Sequence, residues 1–196
     1  FQNAADNYVK KQQFEDACRV YERILQVDPQ NKECLNVLGE LYARLNIKDK
    51  AVATYRTLAE LFEAEGSALD KLIGIYVGIV ERNASNVSIR TRLVDHLQKQ
   101  GRQQELPPHY FALATYNLER GMVDEAVKSL RRLLEIDAQH VEARELLGDI
   151  YHKRDMPTEA LDEFQHVVKI YRSRGEEQKA IEFQQRLISI FPQAAD

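Results

Sequence analysis

Apolar residues return along this chain at the three- and four-residue intervals of amphipathic helices, and short polar breaks interrupt them. Residues 32–65 show the pattern most plainly. Leu35, Leu38, Gly39 and Tyr42 share one helical face, and after a short polar turn Ala51, Tyr55 and Leu58 share another. The same reading predicts helices over about 2–11, 14–28, 32–45 and 48–64, then from Ser67 to Arg82, and from the far side of an Asn83-Ala84-Ser85-Asn86 turn to about Gln100. Further helices are predicted over about 108–120, 123–137, 141–154, 157–174 and 177–191. The breaks have physical causes. Pro29, in Asp28-Pro29-Gln30-Asn31, cannot continue a helix and restricts the residue before it. Gly66 is placed for a left-handed cap. Pro192 stops the last helix. The stretch from Gly101 to Pro108, GRQQELPP, is the one irregular connection.

Two periods lie above the helical one. Tyr8, Tyr42 and Tyr76 recur every 34 residues, as do Ala17, Ala51 and Ser85. A longer copy shifts Ala17 to Ala126, Ala51 to Ala160 and Gly66 to Gly175, each by 109 residues. Over that shift QVDPQ at 26–30 becomes EIDAQ at 135–139, and LGELY at 38–42 becomes LGDIY at 147–151. The chain thus reads as a tandem duplication of a five-helix block, with the helix near 86–100 as the joint.

A helix–turn–helix unit of 34 residues carrying Leu35, Leu38, Gly39 and Tyr42, then Ala51 and Tyr55, resembles the tetratricopeptide repeat. Leu147, Gly148, Tyr151, Ala160 and Phe164 form the second strong copy, and Pro29 fills the proline position that closes the first repeat. The resemblance implies an all-α, right-handed solenoid forming a single domain over 1–196. Its repeats fall at about 1–31, 32–65, 66–100, 107–140 and 141–174, with a closing helix at 177–191 and the irregular connection at 101–107. Paired helices pack closely where side chains are small. Gly39 is therefore expected to face Ala51, and Gly148 to face Ala160, with Tyr42, Tyr55, Tyr151 and Phe164 filling the adjoining holes. The third repeat departs from the pattern: Ile73 and Arg92 stand where small residues are preferred, so its second helix is expected to be rotated or displaced. Gly74 and Gly78, four apart on one helix, each cost about 1 kcal/mol against Ala. A close backbone crossing with the next helix is the expected reason, and room for a ligand side chain is the other.

Composition narrows the function classes. The chain of 196 residues is 44% apolar and 30% charged, with a net charge of −4. That balance lacks the basic footprint of a nucleic-acid or anionic-membrane binder. No apolar run approaches the roughly 20 residues of a membrane span, and no signal peptide is visible. The chain begins at Phe1 inside the helical pattern, which reads as a fragment, with cytoplasmic location the expectation. Cys18 and Cys34 lie in no CxxC pair and read as reduced apolar filler.

The resemblance also places the partner groove on the first helix of each repeat. The matching positions hold Gln2, Asp6 and Val9; Glu33, Asn36, Glu40 and Ala43; Ser67, Asp70, Gly74 and Val77; Pro108, Phe111, Thr115 and Leu118; and Glu142, Glu145, Asp149 and His152. Carboxylates are frequent at these positions and Lys and Arg are absent from them. The functional reading is an acidic groove that takes a Lys- or Arg-bearing peptide or protein segment, with an apolar anchor near Phe111 and Leu118. A merely solvated helix face is the plainer alternative. The Lys, Asn and Arg set with which some family members grip a terminal carboxylate is missing. Its places hold Gln2, Asp6 and Val37, and in the second block Phe111, Thr115, Glu142 and Glu145.

No catalytic residues, cofactor or metal site are expected. Glu145, Asp149 and His152 share a face, but such placement is common on charged helices, and the remaining histidines have no triad-like partners. The expected function is therefore non-catalytic protein–protein interaction, as an adaptor or scaffold. A self-associating piece that dimerises through its end helices and a regulatory domain of a larger protein are the alternatives.

Overall fold

The computed structural model describes residues 2–66, 69–82 and 86–191. The expected helix start at Ser67, the turn at Asn83-Ala84-Ser85, the stop at Pro192 and the Gln2 side chain lie outside what it describes. The described residues form eleven α-helices and one short 3-10 turn, with no strand. The helices are α1 (Gln2–Lys10), α2 (Phe14–Val27), α3 (Lys32–Arg44), α4 (Lys48–Glu65), α5 (Leu69–Arg82), α6 (Val87–Lys99), α7 (Pro107–Glu119), α8 (Val123–Ile136), α9 (Val141–Lys153), α10 (Pro157–Ser173) and α11 (Glu177–Ile190). Apart from the start of α1 and both ends of α5, which adjoin residues outside the description, the helix ends fall within two residues of the sequence expectation. The irregular connection contains the 3-10 turn at Gln103–Glu105, after which Leu106 is buried beside the start of α7. None of the described helices is long and apolar enough to cross a membrane.

The chain divides into two compact units, residues 1–99 and 100–196. Each is a stack of helical hairpins in which successive helices pack on one another. In the first unit the core is built from Tyr21, Leu38, Leu58, Tyr76 and Leu97; in the second, from Leu130, Leu133, Leu147, Phe164 and Val167.

The 109-residue duplication is visible in backbone detail. Asn46 and Asp155 both adopt left-handed conformations, at φ 58° and 57°. At each, the following N–H reaches back to the carbonyl of the preceding helix's tyrosine, Ile47 to Tyr42 at 2.8 Å and Met156 to Tyr151 at 3.0 Å. This bond ties off the orphan carbonyls at a helix end. Asn and Asp tolerate the conformation because their short polar side chains ease it. Gly66 and Gly175 take the same left-handed region at φ 61° and 73°, where a Cβ would be strained. Helix starts are specified too. The Asn31 side chain caps α3 through the Cys34 N–H at 3.0 Å, and His140 Nδ1 caps α9 through the Ala143 N–H at 3.2 Å.

One polar contact is conserved in position but reversed in chemistry between the copies. The Tyr42 hydroxyl donates to Glu22, which also accepts from Lys50 at 3.1 Å. In the second copy the partner at the corresponding place is Arg131, which donates to the Tyr151 hydroxyl at 2.7 Å. Either way a phenol at the helix–helix seam is satisfied by the preceding helix, as a half-buried polar group requires.

The glycines of the two strong repeats each lie against an aromatic ring of the next helix, Tyr55 and Phe164, two of the residues expected to fill the adjoining holes. A Cβ built on Gly39 would stand 2.7 Å from the Tyr55 ring, and one on Gly148 would stand 2.6 Å from the Phe164 ring. The glycines make room for an aromatic face one helical turn beyond Ala51 and Ala160. Both alanines are fully buried.

The third repeat is held by a polar cluster. Glu63 of α4 accepts from the Tyr76 hydroxyl at 2.5 Å and from Arg92 at 2.7 Å, and His96 Nε2 lies 3.3 Å away. The His96 ring stacks on Tyr76 at 5.5 Å between centroids. Arg92, which stands at a small-residue position, is therefore half-exposed and reaches back across α5 to α4. Burial alone would raise the pKa of Glu63, but the bonds from Tyr76 and His96 and the charge of Arg92 outweigh it and hold the pKa below the ordinary carboxylate value. Burial, with the bond to Glu63, pushes the Tyr76 phenol up to about 12.

Candidate partner-binding grooves

In the first unit, α3 and α5 form the walls of a groove of about 1040 Å³, and α4 forms its floor. The floor is apolar, with Tyr55, Leu58 and Phe62 from α4 and Ile75 from the α5 wall. Of the residues expected from sequence, Glu33, Asn36, Glu40 and Ala43 line the α3 wall and Gly74 lines the α5 wall. Asp70 lies at the exposed start of α5, and the lining residue there is its neighbour Lys71. The Asn36 side chain donates to Glu40 at 3.0 Å, which orients that carboxylate along the rim.

Two expectations are corrected here. The groove is not free of cations, because Lys32, Arg44 and Lys71 also line it. Reading only four positions per repeat passed over them. Two of the three are engaged. Lys32 pairs with Glu65 and lies 5.0 Å over the Phe62 ring, and Arg44 lies 5.7 Å over the Phe14 ring. Gly74 is not at a close backbone crossing, since a Cβ added there would meet nothing within 4 Å. The floor residues were also missed, because the groove was assigned to the first helix of each repeat alone. The 3.6-residue periodicity of α4 marks Leu58 as buried without showing that its helix floors a groove.

In the second unit the expected residues sit on α7 and α9, and several already have partners. Phe111 is half-buried and stacks on His140 at 5.3 Å. The Thr115 hydroxyl donates to the Ala112 carbonyl of its own helix at 3.0 Å, and Leu118 is half-buried. Glu142, Glu145 and Asp149 do share one face of α9. Burial raises the pKa of Glu145; Arg186 lowers it, while Asp149 and Glu142 add to the rise. Asp149 is paired with Arg186 of α11 at 3.2 Å, and that guanidinium also lies over the Phe183 ring at 5.5 Å. The acidic face of this unit is thus partly neutralised by its own closing helix.

His152 is turned to the edge of Phe191 at 5.3 Å. Among the described residues no group of three or more His, Cys, Asp or Glu side chains is placed to hold a metal ion. Cys18 and Cys34 are buried free thiols, and burial pushes the Cys18 pKa up to about 11. On α11, Ile181 and Ile188 are 42% and 47% exposed. A smaller cleft of about 280 Å³ runs between α10 and α11, lined by Val168, Leu187 and Phe191 among others.

Comparison with known proteins agrees with this architecture. The sequence model of the tetratricopeptide repeat matches residues 3–67 and 111–173. Among solved structures, the crystal structure of MamA is 20% identical with a TM-score of 0.50, covering 88% of this chain and 96% of its own. The structure of YrrB, a TPR protein with an unusual peptide-binding site, is 17% identical with a TM-score of 0.48, covering 93% of this chain and 89% of its own. At such identities the likeness is one of fold. No curated protein sequence matches the chain.

Proposed function

From the premise that this chain belongs to the tetratricopeptide-repeat family, generally non-catalytic protein–protein interaction modules, we propose that it works as an adaptor or scaffold and holds a peptide segment of a partner protein in the groove between α3 and α5. The observation that carries the reading is the groove itself. Its volume of about 1040 Å³ is ample for several side chains, and its apolar floor is bordered by the carboxylates of Glu33 and Glu40. Specific sites commonly join an apolar floor to a few placed polar groups. The partner segment in this reading carries Lys or Arg beside an apolar residue, the cation being taken by Glu33 and Glu40 on the α3 wall, where Lys32 is already paired with Glu65. In the second unit, taken by itself, Glu142 and Glu145 of α9 are the carboxylates offered for a similar contact, and Phe111 and Leu118 of α7, with Thr115 between them, are the residues offered as its apolar anchor. Asp149 contributes less because Arg186 already neutralises it.

The test pans the immobilised chain against a displayed library of random linear peptides. Enriched sequences are expected to carry Lys or Arg. Their binding should weaken several-fold in a Glu33→Lys, Glu40→Lys variant and fall with added salt, as interactions between exposed charges do. Failure to enrich any peptide, or enrichment of peptides that bind the double variant unchanged, would refute the reading.

A further inference from the structure

Resting on that reading of the groove, we infer that the bare α5 wall at Gly74 selects the partner: the groove accepts a bulky apolar side chain, aromatic or leucine-like, between Gly74 and the α4 floor, with a neighbouring Lys or Arg of the partner held by Glu33 and Glu40.

The glycines of the first unit's helix interiors have different explanations. Gly39 is accounted for internally, because the Tyr55 ring occupies the space where its Cβ would be. Gly74 has no such internal account. It lies in the middle of α5, is exposed, and a Cβ there would meet nothing within 4 Å. A glycine in a helix interior weakens the helix by about 1 kcal/mol against Ala. Gly78, one turn further along α5, lines the same groove. Gly74 lines the same groove as Tyr55, Leu58 and Phe62, an apolar surface suited to burying one large side chain. On the α3 wall Glu33 is exposed and Glu40 is oriented by Asn36, so these two carboxylates are the groups that take a cation; of the cations on that wall, Lys32 is paired with Glu65 and Arg44 lies over the Phe14 ring. A side chain larger than hydrogen at Gly74 would project into the volume that the partner's side chain needs.

The experiment uses the whole chain and the peptides enriched by the displayed library. Among those peptides, an aromatic residue or leucine next to Lys or Arg is the expected shared feature. Gly74→Leu is expected to weaken their binding at least tenfold, the equivalent of excluding one large apolar side chain from burial. The same variant should unfold at equal or higher denaturant concentration than the wild type, since Leu is the better helix former and its Cβ would meet nothing within 4 Å. Replacing the peptide's bulky residue by Ala should abolish the difference between wild type and variant. Peptides that bind wild type and Gly74→Leu equally, yet lose affinity in the Glu33→Lys, Glu40→Lys variant, would overturn this inference while leaving the groove reading intact. Peptides indifferent to both variants would overturn both.

Discussion

Alanine substitution at Gly148 and at Gly74 should have opposite effects on stability, although both residues lie inside helices. At Gly74 the new methyl group meets nothing within 4 Å, so only the helix term acts and the variant should gain about 1 kcal/mol. At Gly148 the Cβ would stand 2.6, 2.8 and 2.9 Å from three carbons of the Phe164 ring. That ring is 1% exposed and is flanked by Phe183 at 5.8 Å and Phe191 at 6.3 Å, so it has little room to withdraw. Overpacking of this kind costs about 1–3 kcal/mol, and the helix term offsets about 1 of it. A net loss of up to about 2 kcal/mol follows, and a spread of about 1–3 kcal/mol between the two variants. Gly39→Ala should fall between them, because the Tyr55 ring borders the open groove and can move toward it. The chain has no Trp, so urea unfolding is followed by far-UV circular dichroism. Amide exchange read separately in the two units then assigns each change to its own hairpins, since stacked repeats need not unfold together. Phe164→Leu combined with Gly148→Ala should recover part of the loss, with a favourable coupling of about 1 kcal/mol. A Gly148→Ala variant as stable as Gly74→Ala, or a cycle with no coupling, would refute the packing argument.

Two predictions concern pH. Glu145 has a raised pKa, so the folded state holds its proton more tightly than the unfolded chain. Its contribution to stability is most favourable below the ordinary carboxylate range and declines as pH rises through the folded value. Glu145→Gln should therefore raise the urea midpoint of the wild type at neutral pH and lose that advantage in acid; an equal gain at both pH values would count against burial as the cause. Glu63 has a lowered pKa, so its contribution is present above the ordinary carboxylate range and is lost as pH falls through the folded value. Amides of α6 should accordingly lose exchange protection in acid in the wild type, whereas a Glu63→Gln variant should show lower protection at neutral pH and a flatter profile. An unchanged acid profile in Glu63→Gln would mean that another group governs the anchoring of α6.

Much of this architecture was legible in the residues alone. Helix ends were readable because they depend on local chemistry: Pro29 cannot continue a helix, and Gly66 and Gly175 accept the left-handed backbone their turns require. The repeat was readable because two helices of one hairpin demand the same small and large residues at the same spacing each time. The left-handed turn residues Asn46 and Asp155 obey the 109-residue shift as strictly as the aromatic positions do. Glu33, Asn36 and Glu40 were picked out by the repeat positions that the family resemblance supplies, and in the structure they line one wall of the cavity beside α4.

What the sequence could not carry was the identity of neighbours from other helices. Gly39 and Gly74 are the same residue in the same kind of helix, yet one lies against the Tyr55 ring and the other faces open space, because only the packing of adjacent helices determines which atoms stand at a missing Cβ. The charge of a face is equally non-local. Arg186 reaches Asp149 from 37 residues away, and Lys71 reaches the groove from a different repeat than Glu40. Periodicity reports which side of a helix is buried. The partner that buries it, and the space left between two walls, are settled only when the hairpins stack.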